Sequence, residues 1–467
     1  MSESTVVTGP TTVAPAGAQR SQSLRVWFSA FLGGSIEFYD FSIYSTAAAL
    51  VFAPLFFTGA PPTIGLIASF ATLAVGYIAR PLGGIIFGHF GDKIGRKSSL
   101  IVTVVIMALA TALIGVLPTF EQVGAIAPIL LILLRIVQGL SVGGEWGGSV
   151  VLTTEHSKVK RRSLMGVATP MGSAFGLLLG FIAFAIVIPA SGDQFMVWGW
   201  RIPFLSTIVL FAVALYMRFR VSESDVMKEQ RLKIAADTKA GIKFKKPFVE
   251  VFKKHWRTII ISALVFAGPF LIQSLMLSFY VSYTVGTMKI PNTEMVNISM
   301  IGLTVTLLAL PVVAWISDRV GRRRVMTIGV ILATINAIFI WPLLSTGMVW
   351  GILLTYVLVF LIHAIVLAPL AATYSELYPT KMRYTGVSMS YQVASLLAGG
   401  LGPVLAQSFI AAGWGPWSVS GLLVFSGLVA IWAVFRLKKT DNVDLRTVGT
   451  PAQSMSGEAN PAPIAIG

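Results

Sequence analysis

The chain has 467 residues, of which 55% are hydrophobic and only 12% are charged, and its mean hydropathy is +0.81. A water-soluble protein of this length could not easily cover its surface with so little charge, so a membrane protein is indicated. The absence of cysteine excludes disulfides, thiolate nucleophiles and cysteine-based metal sites, and the formal net charge of +16 raises nucleic acid as a partner to be tested against the loops.

The chain begins with a polar tail and continues with twelve apolar runs. Residues 1–24 are rich in Thr, Ser, Gly, Ala and Pro and are predicted to be disordered, without the features of a secretory signal. Each run can cross about 30 Å of hydrocarbon as a helix of roughly 20 residues, and none alternates strictly as a barrel strand does. The runs are approximately Val26–Phe52, Ile64–Phe87, Leu100–Leu117, Ile126–Leu152, Met165–Ile188, Pro203–Phe219, Ile259–Val281, Val296–Ile316, Val325–Leu344, Val349–Ala372, Gly386–Ile410 and Trp417–Phe435.

The basic residues collect in every second loop, for example at Arg96, at 158–162 and at 319–324, whereas the opposite loops hold little besides Lys289 and Arg201. The positive-inside rule therefore predicts a multi-pass plasma-membrane protein whose N- and C-termini are cytoplasmic. Because topology already accounts for the charge, the lipid bilayer is the expected partner and nucleic acid is not.

A polar, Lys-rich stretch at 220–256 separates six runs from six and is predicted to be a cytoplasmic linker. It divides the chain into an N-terminal bundle at 25–219 and a C-terminal bundle at 257–436, followed by a C-tail at 437–467 that is predicted to be disordered. The fold class predicted is all-α, with twelve transmembrane helices in two pseudo-symmetric six-helix bundles. Such twinned bundles enclose a cleft near the bilayer midplane, where secondary transporters bind substrate.

Two sequence elements recur, once in each half. Gly88-His-Phe-Gly-Asp92-Lys-Ile-Gly-Arg96 and Ala314-Trp-Ile-Ser-Asp318-Arg-Val-Gly-Arg322 lie about 226 residues apart, and each joins the second span of its half to the third. Between the fourth and fifth spans, Glu155 and then Glu376 each precede a basic loop. An aspartate at a helix C-terminus opposes the helix dipole, so Asp92 needs a basic neighbour or the N-terminus of a helix in the other half.

Further motifs, found in order over essentially the whole chain between the tails, are Glu37-Phe-Tyr-Asp40-Phe41, Ala79-Arg80-Pro-Leu-Gly-Gly84, Arg135-Ile-Val-Gln-Gly139 with Gly143-Gly-Glu145-Trp-Gly147, and Trp198-Gly-Trp-Arg201-Ile-Pro-Phe204. With these motifs the chain resembles the major facilitator superfamily, and within it the metabolite:proton symporter family. The Gly88–Asp92 run, His363 and Tyr391-Gln392-Val-Ala-Ser395 are most similar to the shikimate-carrier branch.

The resemblance implies a monomeric proton-coupled symporter that imports a small polar metabolite by alternating access, with the proton as coupling ion and no other cofactor. An organic acid such as shikimate or a dicarboxylate is the expected substrate. The alternatives are a zwitterion such as proline or betaine, a uniporter or exporter of the same fold, and a receptor that does not transport. An enzyme is not expected, because four scattered histidines and the absence of HExxH and GxSxG motifs provide neither a metal site nor a nucleophile.

Charged residues far from the ends of the spans are the candidates for coupling, since each costs about 2.5–3.5 kcal/mol at mid-membrane on insertion scales. Glu37 and Asp40 are three residues apart on one helix, and two such close carboxylates should not both be ionised. In related sugar:proton carriers, the acid matching Asp40 pairs with the arginine matching Arg135. We therefore assign proton coupling to Asp40, Glu37 and Arg135; a static charge pair is the alternative.

Substrate binding is assigned to polar and aromatic residues at similar depth. Arg80 is the candidate partner of a substrate carboxylate, with a salt bridge to Glu37 or Glu145 as the alternative. His363 is either a proton relay or a hydrogen-bonded structural residue. The other predicted substrate contacts are Tyr44, Gln138, Glu145, Trp146, Gln273, Tyr391 and Gln392.

The repeated loop elements are assigned to a latch that forms only while the cytoplasmic side is closed, as the resemblance suggests. A purely topogenic role of its arginines is the alternative. This cytoplasmic gate comprises Gly88, Asp92, Arg96, Glu155, Asp318, Arg322, Glu376 and Arg383.

Overall fold

The structure is a computed structural model that describes residues 16–58, 62–230, 232, 247–440, 443–445 and 448. Within these residues there are helices, turns and irregular segments but no strand. We number the principal helices α1 to α12. They are Ala16–Ala47, Pro62–Ile94, Arg96–Gly115, Ile126–Glu155, Ala168–Ser191, Arg201–Arg220, Pro247–Leu277, Asn292–Val320, Arg322–Ser345, Val349–Glu376, Arg383–Ser395 and Pro416–Arg436.

The prediction of twelve spans is confirmed if the first is counted with its bend. In the described chain, eleven helices are long and apolar enough to cross a membrane. The first span, Gln22–Ala47 with Leu50–Phe56, bends by 43° and makes the twelfth. The eleventh span continues past α11 through a π-helical turn, Leu396–Gly400, into the helix Gly402–Ala411. Helices satisfy their backbone hydrogen bonds internally, which is what lipid requires.

The two repeated loop elements form two equally tight turns. Gly95 joins α2 to α3 with a φ of 120°, and Gly321 joins α8 to α9 with a φ of 107°. Only glycine adopts such angles without strain, so the glycine of each element is fixed by the turn. The tight turns hold Asp92 and Asp318 at the ends of their helices, one turn away from the arginines that follow.

Three predicted boundaries need correction. Helix α1 already includes Ala16, so the described part of the expected N-terminal tail is helical. Helix α7 begins at Pro247, so the last part of the predicted linker is helix as well. In the C-tail, Leu437 and Leu445 are buried against the protein, each about 3% exposed, and are not solvated. The predictions for 1–15, 231, 233–246, 441–442, 446–447 and 449–467 lie outside the described residues.

The two halves pack against each other chiefly along three helix pairs, α2 with α11, α4 with α11 and α5 with α8. In the first pair the backbones approach closely where Gly88 lies, since a Cβ added there would lie 2.8 Å from Cα of Thr385. A small residue in a membrane helix permits this approach. The pairs run through the membrane to the side that carries the basic loops, which we call the cytoplasmic side.

Candidate transport site

The predicted pair of Asp40 and Arg135 is present inside the N-terminal half. Nη1 of Arg135 lies 3.6 Å from Oδ2 of Asp40, and these residues are 3% and 1% exposed. Oδ1 of Asp40 accepts hydrogen bonds from Thr111 at 2.5 Å and from Gln138 at 2.7 Å. The carboxylate is therefore held by one cation and two neutral donors, which is how a charge is stabilised away from water.

The guanidinium group of Arg135 also lies against an aromatic ring. The guanidinium carbon of Arg135 lies 4.0 Å from the ring centroid of Tyr44, whose hydroxyl donates to Thr72 at 2.7 Å. Arg135 also donates to Oε1 of Gln138 at 3.1 Å. A cation over an aromatic face is stabilised by the ring quadrupole. Tyr44 and Gln138, predicted to bind substrate, thus belong to the surroundings of the Asp40–Arg135 pair.

Glu37 lies one turn before Asp40 and has a different environment. It is 1% exposed, and neither of its carboxyl oxygens has a hydrogen-bond partner among the described residues. Arg80 is the cation that acts on it electrostatically. The two carboxyls of α1 are therefore not equivalent, although the sequence could not distinguish them.

A small cavity of about 30 Å³ lies between the halves, where a substrate site was predicted. Helices α1, α4 and α5 of the first half and α7, α8, α10 and α11 of the second contribute to its wall. Among the residues that the structure describes, no Asp, Glu, Lys or Arg lines it, and its polar groups come from Ser173, Gln273, Thr306, His363 and Tyr391. Its apolar wall consists of Phe38, Trp146, Pro170, Ala174, Leu177, Phe266, Phe270 and Leu367.

Stacked aromatic rings join the two halves at this cavity. Trp146 of α4 and Tyr391 of α11 are parallel, with ring centroids 3.8 Å apart and an interplanar angle of 8°. Phe266 of α7 stacks on the other side of Tyr391 at 5.8 Å. These rings bury large apolar surfaces against each other, so the stack stabilises the contact between the halves.

Four of the nine residues predicted to bind substrate line the cavity, namely Trp146, Gln273, His363 and Tyr391. Nδ1 of His363 lies 3.2 Å from the carbonyl oxygen of Pro269, within hydrogen-bonding distance. A carbonyl only accepts, so Nδ1 carries the hydrogen and the acceptor of the neutral ring is Nε2. This arrangement fits the hydrogen-bonded residue that was considered as the alternative to a relay.

The remaining predicted contacts lie elsewhere. Glu145 accepts a hydrogen bond from Thr103 at 2.8 Å and forms an ion pair with Arg218 of α6, inside the N-terminal half. Gln392 donates to the carbonyl oxygen of Gly143 at 3.2 Å, so it ties α11 to α4. In this conformation neither side chain lines the cavity, and their contact with substrate stays a prediction.

Arg80 also lies outside the cavity wall. Its guanidinium carbon lies 4.3 Å from the ring centroid of Tyr77, and Nη1 donates to Ser395 of α11 at 3.4 Å. Among the described residues it forms no ion pair within 4 Å, so neither alternative salt bridge is present. In this conformation Arg80 does not face the cavity as a partner for a carboxylate.

The residues predicted to form the cytoplasmic gate are in contact with one another, and one cluster of them centres on Asp92. The carboxylate of Asp92 accepts from the backbone N–H groups of Tyr384 and Thr385 at 3.0 and 2.9 Å, and from the Thr385 hydroxyl at 2.8 Å. These donors form the N-terminus of α11 in the other half, and Arg96 lies 3.7 Å away. The two kinds of partner expected for Asp92 are both present.

Asp318 of the repeated element has the same kind of contacts as Asp92. Asp318 accepts from the backbone N–H groups of Ser163 and Leu164, both at 3.0 Å, at the start of the helix Arg162–Gly166. Arg322 lies 3.2 Å from Asp318, as Arg96 does near Asp92. Each aspartate thus caps a helix of the opposite half, related by the pseudo-symmetry of the chain.

Two glutamates complete this cluster. Each forms one ion pair with an arginine of the opposite half and one with an arginine of its own half. Glu155 pairs with Arg383 at 2.8 Å and with Arg96 at 3.3 Å. Glu376 pairs with Arg162 at 2.6 Å and with Arg322 at 2.7 Å. Arg162 was not among the predicted gate residues, yet it follows Glu155 as Arg383 follows Glu376, a spacing that would have identified it.

The described part of the C-tail closes over these arginines. The carbonyl oxygen of Val443 accepts from Arg162 at 2.5 Å. The carbonyl oxygen of Leu445 accepts from Arg383 at 2.7 Å and from Thr380 at 3.1 Å. These main-chain oxygens thus accept hydrogen bonds from guanidinium N–H groups that do not bind the two glutamates. Contacts through main-chain oxygens do not depend on side-chain type, so the sequence did not predict them.

A bulky residue at Gly147 should hold the gate open. A Cβ added to Gly147 would lie 2.8 Å from Cα of Ser388 in the other half, so Gly147→Val clashes only while the halves are in contact. We expect a cysteine replacing the buried Thr154 to react faster with a membrane-impermeant maleimide applied from the cytoplasmic side. The matched control is Gly286→Val, since a Cβ at Gly286 meets no atom within 4 Å. Equal labelling rates in the two variants would contradict this expectation.

Comparison with known proteins places the chain in a family. The sequence model of the Major Facilitator Superfamily matches residues 30–403. The chain belongs to the major facilitator superfamily. It is therefore a multi-span membrane transporter of a small molecule and not an enzyme.

Relatives in the superfamily include two named carriers. The shikimate transporter of Escherichia coli (strain K12) is 35% identical over 410 residues, which cover 87% of this chain and 92% of the relative. The proline/betaine transporter of the same organism is 30% identical over 434 residues, covering 92% and 86%. Among solved structures, the proton:xylose symporter XylE bound to 6-bromo-6-deoxy-D-glucose has a TM-score of 0.75 at 18% identity, covering 92% and 99%. This last similarity confirms the predicted major facilitator fold.

Proposed function

We propose that this transporter is a proton-coupled symporter that imports a small polar metabolite by alternating access. The observation that carries the proposal is the buried pair of Asp40 and Arg135, in a chain whose two halves share a cavity. Burying charged residues within a membrane costs free energy, so their presence there indicates a function. Adding a proton to Asp40 cancels its attraction for Arg135 and changes the charge balance inside the N-terminal half.

The hydrogen bonds around Asp40 indicate how its protonation is transmitted. Gln138 donates to Asp40 while its own oxygen accepts from Arg135, so one side chain contacts both members of the pair. When Asp40 is neutral, Arg135 loses its counter-ion and keeps only Gln138 and the ring of Tyr44. Both Arg135 and Gln138 lie on α4, the helix that also carries Trp146 of the aromatic stack and Glu155 of the cytoplasmic gate. Movement of α4 thus links the proton to both the cavity and the gate.

The cavity favours a compact, hydroxylated monocarboxylate as substrate. Its polar groups are hydroxyls, an amide and an imidazole, which suit hydroxyl groups and can donate hydrogen bonds to one carboxylate, but none of the described residues that line it is a Lys or Arg. The shikimate transporter among the relatives agrees with this class. A dicarboxylate, considered from the sequence, is the less favourable organic acid because its second charge would lack a partner in this cavity.

A zwitterion such as proline or betaine is the second candidate. Five aromatic side chains line the cavity, and the faces of aromatic rings attract quaternary or secondary ammonium groups. The proline/betaine transporter among the relatives agrees with this class. The two candidates differ in net charge, which gives a direct means of separating them.

The experiment is uptake of labelled shikimate, proline and betaine into proteoliposomes with imposed pH and voltage gradients. If one proton accompanies a neutral zwitterion, the membrane potential contributes ~2.3 kcal/mol per 100 mV and the pH gradient ~1.4 kcal/mol per unit. If one proton accompanies a monoanion, the voltage contribution cancels and about tenfold accumulation per pH unit remains. Uptake that ignores the pH gradient for every substrate would refute proton coupling and favour a uniporter.

A plasma-membrane location, cytoplasmic termini, a monomeric state and the proton as the single coupling ion complete the proposal. The distribution of basic loops supports the orientation. The closed cytoplasmic gate lies on the side to which that rule assigns both termini. Labelling of cysteines inserted into the tails, in intact cells and in inverted vesicles, tests the orientation.

A further inference from the structure

Glu37 is a buried carboxyl that the Asp40–Arg135 pair does not include. Its two oxygens lack hydrogen-bond partners among the described residues, whereas Asp40 has two donors and a cation. Burying an ionised carboxylate without partners costs far more free energy than burying a protonated, neutral carboxyl group. A proton on Glu37 therefore avoids most of this cost. In this conformation Glu37 is therefore the protonated member of the two carboxyls on α1.

The groups around Glu37 differ from those around Asp40. Arg80 of α2, Glu145 of α4 and Asp40 of its own helix are the charged residues that act on it, and Tyr391 of α11 is also within electrostatic range. Glu145 is already neutralised by Arg218. Arg80 is consequently the cation available to stabilise an ionised Glu37.

Arg80 is held in a way that can be reversed. It lies on the ring of Tyr77 and donates a hydrogen bond of 3.4 Å to Ser395 of the opposite half, which is long for a charge-assisted bond. A negative charge on Glu37 would attract Arg80 more strongly than a neutral hydroxyl does. Moving Arg80 to Glu37 would also remove a contact between α2 and α11.

We propose that Glu37 is a second proton site, separate from Asp40, and that Arg80 pairs with Glu37 when the proton leaves. The inference rests on the proposed symporter function and adds a second proton to its cycle. The proton is released to water that enters the cavity as the cytoplasmic side opens, and the Glu37–Arg80 ion pair replaces the Arg80–Ser395 hydrogen bond. Two protons entering with a monocarboxylate would make transport electrogenic.

Infrared spectroscopy of the purified full-length protein in lipid vesicles tests the site without a substrate. The C=O stretch of a protonated carboxyl is recorded while the pH is raised from acidic to alkaline. We expect a band that disappears with rising pH in the wild type, is missing in Glu37→Gln and persists in Asp40→Asn. In Arg80→Gln the band should survive to higher pH, because ionised Glu37 has lost its cation, and Arg80→Lys should largely restore the wild-type titration. A merely structural arginine would not move this titration.

The inference is overturned if the band remains in Glu37→Gln, or if the wild-type band does not change at alkaline pH. Accumulation of labelled shikimate and proline in the same vesicles separates this result from a failure of the symporter proposal. If the wild type accumulates neither under a proton gradient, the symporter proposal fails. If it accumulates one of them, Glu37→Gln should lower the final ratio about tenfold per pH unit of gradient, since one proton is lost from the stoichiometry. An unchanged ratio and band in that variant would overturn the second site alone.

Discussion

Asp40→Asn should abolish uphill uptake while sparing exchange of labelled for unlabelled substrate across the membrane. Asparagine keeps the size of the side chain and can still accept from Thr111 and Gln138, but it cannot bind and release a proton. Without coupling, the accumulation ratio should fall to about one. The loss is several hundredfold for a neutral substrate at 100 mV and one pH unit, from ~2.3 and ~1.4 kcal/mol respectively.

Exchange is the internal control for this variant, because it requires a folded protein that still alternates between its two conformations. Asp193→Asn makes the same chemical change at an exposed turn between α5 and α6 and should leave both activities unchanged. Wild-type accumulation in Asp40→Asn would remove Asp40 from the coupling mechanism. The buried pair with Arg135 would then be a static contact between helices.

Glu155→Gln should shift the protein toward the conformation that is open to the cytoplasm. Glu155 pairs with Arg383 and Arg96, and both arginines are fully buried in the closed gate. Removing one partner of a buried pair costs about 3–5 kcal/mol, because the other charge stays buried. Opening returns both arginines to water, so the cost falls on the closed state. Since 1.4 kcal/mol is tenfold, the equilibrium should move by about a hundredfold or more toward opening.

Spin labels measure this shift directly, and the natural absence of cysteine makes their placement simple. Labels at the exposed positions of Lys93→Cys and Arg324→Cys lie on opposite halves of the cytoplasmic side. Glu155→Gln should enrich the longer of the two distances between them. Glu250→Gln is the matched control, since Glu250 pairs with Lys254 and Lys381 of its own half and no contact between the halves is lost. Identical distance distributions in the two variants would contradict the role of Glu155.

The contacts among the predicted gate residues were largely predictable, because these residues recur at matching positions of two homologous halves. The repeat identified Asp92 and Asp318, and the helix dipole explained why each needs the N-terminus of a helix in the other half. Arg162 could have been found from the same repeat. The tail contacts of Val443 and Leu445 use main-chain oxygens, which every residue possesses, so no pattern of side chains could have identified them.

The depth of the charged residues was also predictable, whereas the direction in which each one points was not. Counting residues along a helix correctly brought Asp40 and Arg135 to one level. Helical spacing put Gln138 and Glu145 of α4 on one face, which was assigned to the cavity, whereas Glu145 lies beside Arg218 of α6 in the structure. Gly33 of α1 leaves room for that pair in the structure, because a Cβ there would lie 2.6 Å from Oε1 of Glu145.

The direct measurement of coupling is the proton movement that a substrate gradient drives. Proteoliposomes without any initial pH or voltage gradient are loaded with a pH-sensitive dye and given external shikimate or proline, with an ionophore that clamps the voltage. If downhill entry of substrate carries protons inward, the lumen acidifies with wild-type protein and does not acidify with Asp40→Asn. If the labelled substrate enters at the same rate while the luminal pH stays constant, the carrier moves its substrate without protons and coupling through Asp40 is wrong.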